Sequence, residues 1–250
     1  MQRSRRRSPQ RRYLLSLVTL CVLVVVGIVL FRLHRSSGDS QEPPGSAISA
    51  EAIAATPSPT EAPAPTPEPE TPWNLILVNQ THAIPDKWDQ ELITLSNGTQ
   101  VDSRIYPDLQ QMFDDMRAQG VYPVAVSGYR TAEKQQSLMD EKIQELEAQG
   151  YSPEDAAQEA KLWVNPVGYS EHQTGLALDI NADGINSSLD DVYQWLAQNA
   201  WSYGFILRYP QGKTDITGTD YEPWHYRYVG KEAAQAIQSQ GVCLEEYLSN

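Results

Sequence analysis

The chain has 250 residues, a net charge of −13, 40% hydrophobic residues and two cysteines. Residues 1–35 carry eight arginines and no acid, so the remainder holds −21, a balance that argues against binding nucleic acid or anionic lipid through bulk electrostatics. Cys21 lies in an apolar run and Cys243 stands alone outside it, which leaves no internal disulfide and disfavours cysteine as a metal ligand.

Residues 1–12 form a basic segment, and residues 13–31 run nineteen positions without a charge, long enough to cross a bilayer as a helix. The flanking arginines favour a cytoplasmic N-terminus, and no small-residue cleavage site follows Phe31, so an uncleaved anchor is expected in place of a signal peptide. Residues 32–72 change composition abruptly to Pro, Ala, Thr and Glu, and nine of the 17 prolines lie between Ser36 and Pro72. Such a stretch cannot bury enough apolar surface to offset its ordering entropy and reads as an extended tether. Residues 73–250 are enough for one domain with a core.

Within that domain, Leu75–Val78 reads as a short strand, followed by a loop in which His82 is expected at the surface. Asp108–Gln119 reads as a helix with Leu109, Met112, Phe113 and Met116 on one stripe and Gly120 as its stop. Tyr122–Val126 is a predicted strand that delivers Ser127-Gly128-Tyr129-Arg130, after which Thr131 caps a helix to Ala148. Ser152–Val164 carries a capping serine, a proline at the first helical position and acids in the first turn. A helix from Ser188 to Trp201, a strand from Phe205 toward Tyr209, a strand at Trp224–Tyr228 and a helix at Lys231–Gln240 complete the series. Without regular β-α-β alternation, this order predicts an α+β domain on a small, mainly antiparallel sheet with flanking helices.

The informative stretch is Ser170-Glu171-His172-Gln173-Thr174-Gly175-Leu176-Ala177-Leu178-Asp179-Ile180. As a strand, its second half sends Leu176, Leu178 and Ile180 to one face and Gly175, Ala177 and Asp179 to the other. A carboxylate among small neighbours leaves room for an ion or a substrate backbone. Glu222-Pro223-Trp224-His225 supplies a second histidine with an acid three residues before it. A catalytic zinc takes three protein ligands and keeps one position open, so His172, Asp179 and His225 are the expected set for one ion, with Glu222 as general base. Arg130 suits a bidentate hold on a carboxylate such as the free C-terminus of a peptide. Arg208 is a second cationic candidate for the substrate, and Trp224 a low-dielectric wall.

Ser-x-His-x-x-Gly-x-Ala-x-Asp followed by Glu-x-x-His resembles the VanY-type D-alanyl-D-alanine carboxypeptidases, zinc enzymes that trim the bacterial cell-wall stem peptide. The likeness includes Ser127–Arg130, Gly204–Pro210 and Glu222–Gly230 and spans roughly Asn74 to Asn250. It implies a zinc site at His172, Asp179 and His225, a catalytic role for Arg130 close to the zinc, and substrate contacts from Ser127, Tyr129 and Ser170. The implied substrate is a peptidoglycan stem peptide ending in D-Ala-D-Ala. The implied setting is the bacterial cell membrane, with a single N-terminal span, an extracellular catalytic domain, a monomeric state and no nucleic-acid partner. Two alternatives stay open: an endopeptidase with a cleft open at both ends, and a zinc-containing wall-binding domain without activity.

Overall fold

A computed structural model describes residues 71–249. The expected basic segment and membrane anchor, and all but the last two residues of the expected tether, lie outside those residues. Among the described residues, no helix is long and apolar enough to cross a membrane.

The frame is an antiparallel sheet of four strands. β1 (Leu92–Thr94) and β2 (Gln100–Asp102) form a separate hairpin, while β3 (Pro123–Ser127), β4 (Ala177–Ala182), β5 (Phe205–Leu207) and β6 (His225–Tyr228) make the sheet, in the order β3-β4-β6-β5. Seven helices flank these strands among the described residues: α1 (Tyr106–Ala118), α2 (Ala132–Ala148), α3 (Pro153–Ala160), α4 (Leu189–Asn199), α5 (Thr214–Thr217), α6 (Lys231–Gln240) and α7 (Leu244–Leu248). The α+β class and the antiparallel sheet agree with the expectation.

Alternation along the two central strands decides which face is core. Leu176, Leu178 and Ile180 join Tyr226 and Tyr228 in the main apolar cluster, which α1 closes with Leu109, Met112, Phe113 and Met116 and α4 closes with Val192, Trp195 and Leu196. Asp179, His225 and Arg227 therefore point the other way, as the two-residue period of a strand requires. A second cluster joins Ile206 and Val229 to Ala233, Ala234 and Ile237 of α6 and Leu244 of α7, and a third lies between α2 and α3.

Local chemistry fixes the element ends. Thr131 accepts from the Lys134 amide at the start of α2, Ser152 from the Asp155 amide at the start of α3, and Ser188 forms a reciprocal capping box with Asp191 ahead of α4. Helix α1 starts at Tyr106, two residues before the expected Asp108, because Pro107 suits the first turn. Helix α3 stops at Ala160 instead of Val164, and the chain continues through turns in which Leu162 and Trp163 donate to Glu159 and Ala160.

The expected strand at Leu75–Val78 is a correction. Trp73–Leu75 is a 3-10 turn, and the segment after it satisfies a buried arginine in place of a neighbouring strand. The carbonyls of Asn74 and Ile76 accept from Arg227 Nη2 at 3.3 and 2.9 Å, while Ile76 packs on the main cluster and Leu75 and Leu77 on the second.

Candidate metal centre and active site

The backbone register already brings two of the expected ligands together, because Asp179 on β4 is the direct partner of His225 on β6. His172 arrives from the 3-10 turn Glu171–Thr174, which ends at Gly175 with φ 75°. A side chain at Gly175 would meet the Asp102 amide at 2.9 Å, so the turn packs against β2 only because glycine is there. On the other side, the register of β3 on β4 shifts between Ala125 and Ser127, a bulge that pairs Ser127 with Asp179. The following Gly128 passes so close to Gln100 that a Cβ would collide with its carbonyl oxygen. That close approach lets the Gly128 carbonyl accept from His172 Nδ1 at 2.8 Å, and the Arg130 amide donates to the His172 carbonyl at 3.1 Å.

With Nδ1 committed as a donor, His172 turns Nε2 toward Asp179 Oδ1 at 3.4 Å. His225 places Nδ1 3.1 Å from the same oxygen. Zinc bonds of roughly 2.0–2.2 Å in tetrahedral geometry require ligand atoms about 3.4 Å apart, so both edges have the size of a zinc polyhedron. All three ligand atoms lie within 4.8 Å of one another, and the three residues form the one group of this kind among the described residues. Asp179 offers a single oxygen to that centre, because Arg130 Nη2 holds Oδ2 at 2.7 Å. Arg130 is itself steadied by the Ser127 hydroxyl, at 2.9 Å from Nε.

The carboxylates of Asp179, Glu171 and Glu222 around the centre favour positive charge there. Burial opposes a charged Asp179, yet His172 and His225 outweigh it and hold the carboxyl well below its usual range. Burial likewise opposes a charged His225, but the Asp179 and Glu171 carboxylates prevail and raise its pKa to about 9. Burial dominates at His172 and lowers its pKa, which suits a neutral ligand nitrogen. Two neutral-capable imidazoles and one carboxylate oxygen fit zinc in donor type, and the two nitrogen–oxygen edges fit it in spacing.

Glu222 sits beside the centre with Oε2 3.6 Å from His225 Nδ1. Burial pushes its pKa up to about 7, with Asp179 and Asp220 adding to the shift while His225 and Arg130 oppose it. The group opens on a cavity of about 240 Å³ whose lining includes Arg130, Ser170, His172, Asp179, Glu222, Trp224 and His225. Seven of the ten expected site residues therefore share one wall. Ser127 and Tyr129 lie instead on an adjoining depression with Arg130 and Leu138. His82, expected at the surface, is exposed.

Arg208 is a correction. It is fully buried, donates through Nε to Glu171 at 2.7 Å and through both Nη atoms to Glu245 at 2.9 and 2.7 Å, and does not line the cavity, so a substrate there does not reach it. Sequence reasoning missed Glu171, Tyr209, Gln135 and Asn165. Tyr209 lies tilted against His225, with ring centroids 4.8 Å apart, and accepts from Asn165 Nδ2 at 3.2 Å. Gln135 donates to the Asn165 carbonyl at 2.6 Å and lines the cavity. Its spacing of four from Met139 puts it on the buried stripe of α2, a signal that the many glutamines of that helix conceal.

The VanY family model, described as D-alanyl-D-alanine carboxypeptidase, matches residues 98–231. A D-alanyl-D-alanine carboxypeptidase of Enterococcus faecalis is 58% identical over 180 residues, 72% of this chain and 67% of the relative. A solved structure of VanYB in complex with D-alanine-D-alanine superposes with a TM-score of 0.71 at 58% identity, covering 72% of this chain and 99% of that one. A second, a point mutant of the vancomycin resistance D,D-pentapeptidase VanY from a VanB-type cassette in complex with Zn(II), gives 0.70 at 58% identity, covering 71% and 99%. With its family motifs converging on one buried cluster, the chain belongs to the VanY family of D-alanyl-D-alanine carboxypeptidases.

Proposed function

We propose that this protein is a zinc-dependent carboxypeptidase that removes the terminal D-alanine from peptidoglycan stem peptides ending in D-Ala-D-Ala. The observation that carries the reading is the convergence of His172 Nε2, Asp179 Oδ1 and His225 Nδ1 on one point beside an unligated Glu222, in a chain 58% identical to a D-alanyl-D-alanine carboxypeptidase. When bound, zinc supplies Lewis-acid polarisation of the scissile carbonyl and acidifies the attacking water.

The chain's own groups do the rest. Glu222 takes a proton from the attacking water and passes it to the amine of the leaving D-alanine, a cycle that suits a carboxyl whose pKa is raised toward neutrality. Arg130 holds Asp179 Oδ2, keeping Oδ1 alone turned to the ion. Its guanidinium also lines the cavity, where it is placed to meet the substrate's carbonyl or its terminal carboxylate. Trp224 excludes water from one flank, Ser170 lines the cavity floor beside His172, and Ser127 and Tyr129 contact the peptide further out.

The same reading places the domain outside the cell, held as a monomer by residues 13–31 with residues 32–72 as a spacer. Its support is the uncharged nineteen-residue run with arginines before it, and a site assembled from residues of one chain. The test is release of free D-alanine from a stem pentapeptide by the purified protein, abolished by chelator and restored by zinc. Failure to release D-alanine from the zinc-loaded protein would sink the proposal. Proteolytic shaving of intact cells tests the location, and a domain protected from protease there would refute it.

A further inference from the structure

The buried carboxylate of Glu171 has an arrangement that core packing does not explain. One oxygen, Oε1, takes both Arg208 Nε at 2.7 Å and Arg227 Nη1 at 2.8 Å. The other, Oε2, has no hydrogen-bond partner, and neither has His225 Nε2, although both atoms are buried. The two unpartnered atoms face each other at 3.6 Å. On the opposite edge of the same ring, Nδ1 faces Asp179 and Glu222. Both side chains are cut off from bulk solvent.

We propose that Glu171 is a positioning residue for the metal centre: its Oε2 accepts the Nε2 proton of His225, which fixes the tautomer and the ring plane that present Nδ1 to the ion. Arg208 and Arg227 saturate Oε1 and so leave Oε2 as the acceptor. Glu245, on α7, grips both terminal nitrogens of Arg208. A ligand ring anchored on its far nitrogen by a carboxylate recurs in metal sites, where it orients the ligand and raises its basicity. The ligand thus gains its own rigid support through a chain of ion pairs that reaches from β6 to α7. His172, by contrast, is oriented by a backbone carbonyl, that of Gly128. Closing 3.6 Å to hydrogen-bond length needs a shift of about 0.4–0.9 Å, which rotation of the His225 ring and of the Glu171 carboxylate supplies.

This inference rests on reading His172, Asp179 and His225 as the zinc ligands, and its test avoids peptide hydrolysis. In the zinc-loaded full chain, long-range proton–nitrogen spectra of the histidine rings are expected to show His225 protonated at Nε2 and metallated at Nδ1. Metallation at Nε2, or an unprotonated Nε2, would overturn the proposal. Glu171→Gln is expected to weaken zinc binding roughly 10–100-fold in competition with a chromophoric chelator and to change the visible spectrum of the cobalt-substituted protein. Ile237→Ala, which opens the separate cluster under α6, is the control for lost stability and should leave zinc affinity unchanged. A folded Glu171→Gln protein with wild-type zinc affinity would also refute the role. If that variant does not fold, the ring spectra of the unaltered protein decide. A protein that meets both expectations yet releases no D-alanine refutes the functional reading and leaves this one standing.

Discussion

At the scale of single residues, the site divides its two acids by environment. Asp179, paired with Arg130, is held ionised by two imidazoles, while Glu222, more by burial than by charge, keeps its proton up to about neutral pH. Glu222→Gln is therefore expected to cut the turnover rate by roughly 10²–10⁴-fold while zinc content by metal analysis stays at one per chain. In the proposed mechanism the base works deprotonated, so activity is expected above its pKa and lost as pH falls through it. A divalent cation close by draws that value down from about 7, which puts the acid limb of the kcat/KM profile between the ordinary carboxyl value and neutrality. An acid limb that persists unchanged in Glu222→Gln would assign it to another group. Gly128→Ala should lower activity and stability together, since the added carbon meets the Gln100 carbonyl and pushes away the strand end that orients His172. The clustering of His172, Asp179 and His225 was legible in the sequence because histidines are rare here and each has a carboxylate at a short offset. Arg208 was misread for a physical reason: a charged residue in a strand-rich motif looks like a substrate contact until its two counter-ions, the buried Glu171 and the half-buried Glu245, are brought beside it by the fold.

At the scale of elements, the sheet was readable wherever burial imposes a period of two. Leu176, Leu178 and Ile180 announced the core face of β4, and Tyr226 and Tyr228 that of β6. The β1–β2 hairpin was not anticipated, because its three-residue strands are too short for a pattern to emerge, although Asn97-Gly98 marked its turn. The segment after Trp73 was misassigned because its apolar side chains alternate between two clusters, which imitates a strand while its carbonyls serve Arg227. Helix α7 escaped notice as well, yet it holds one end of the ion-pair chain. Glu245→Ala leaves a fully buried guanidinium with two donor nitrogens unpaired, and a loss of about 3–5 kcal/mol in denaturant unfolding is expected. A loss below about 1 kcal/mol, the range of an exposed ion pair, would mean that α7 merely covers the surface.

At the scale of the whole molecule, fold and metal are coupled. The described clusters and the ligand set lie within residues 71–249, so a chain beginning at residue 71 should fold cooperatively and keep its zinc. Loss of folding on that truncation would mean that the preceding residues contribute to the core. Zinc bound to the native state alone stabilises it by about 4 kcal/mol at a thousandfold excess over the dissociation constant, and chelation should lower the melting temperature accordingly. An unchanged melting curve in chelator would disconnect the ion from the fold.

The direct opposition of Asp179 and His225 gives the ion one more task. These residues lie 46 positions apart in sequence on the two innermost strands, so a cation gripping both works as a removable clasp across the middle of the sheet. With the clasp shut, β4 and β6 cannot part by local fraying, and their amides should exchange with deuterium only when the entire molecule opens. Stripping the ion should speed exchange first at Leu178 and Tyr226, the pair next to the clasp, while the interior of α1 lags behind.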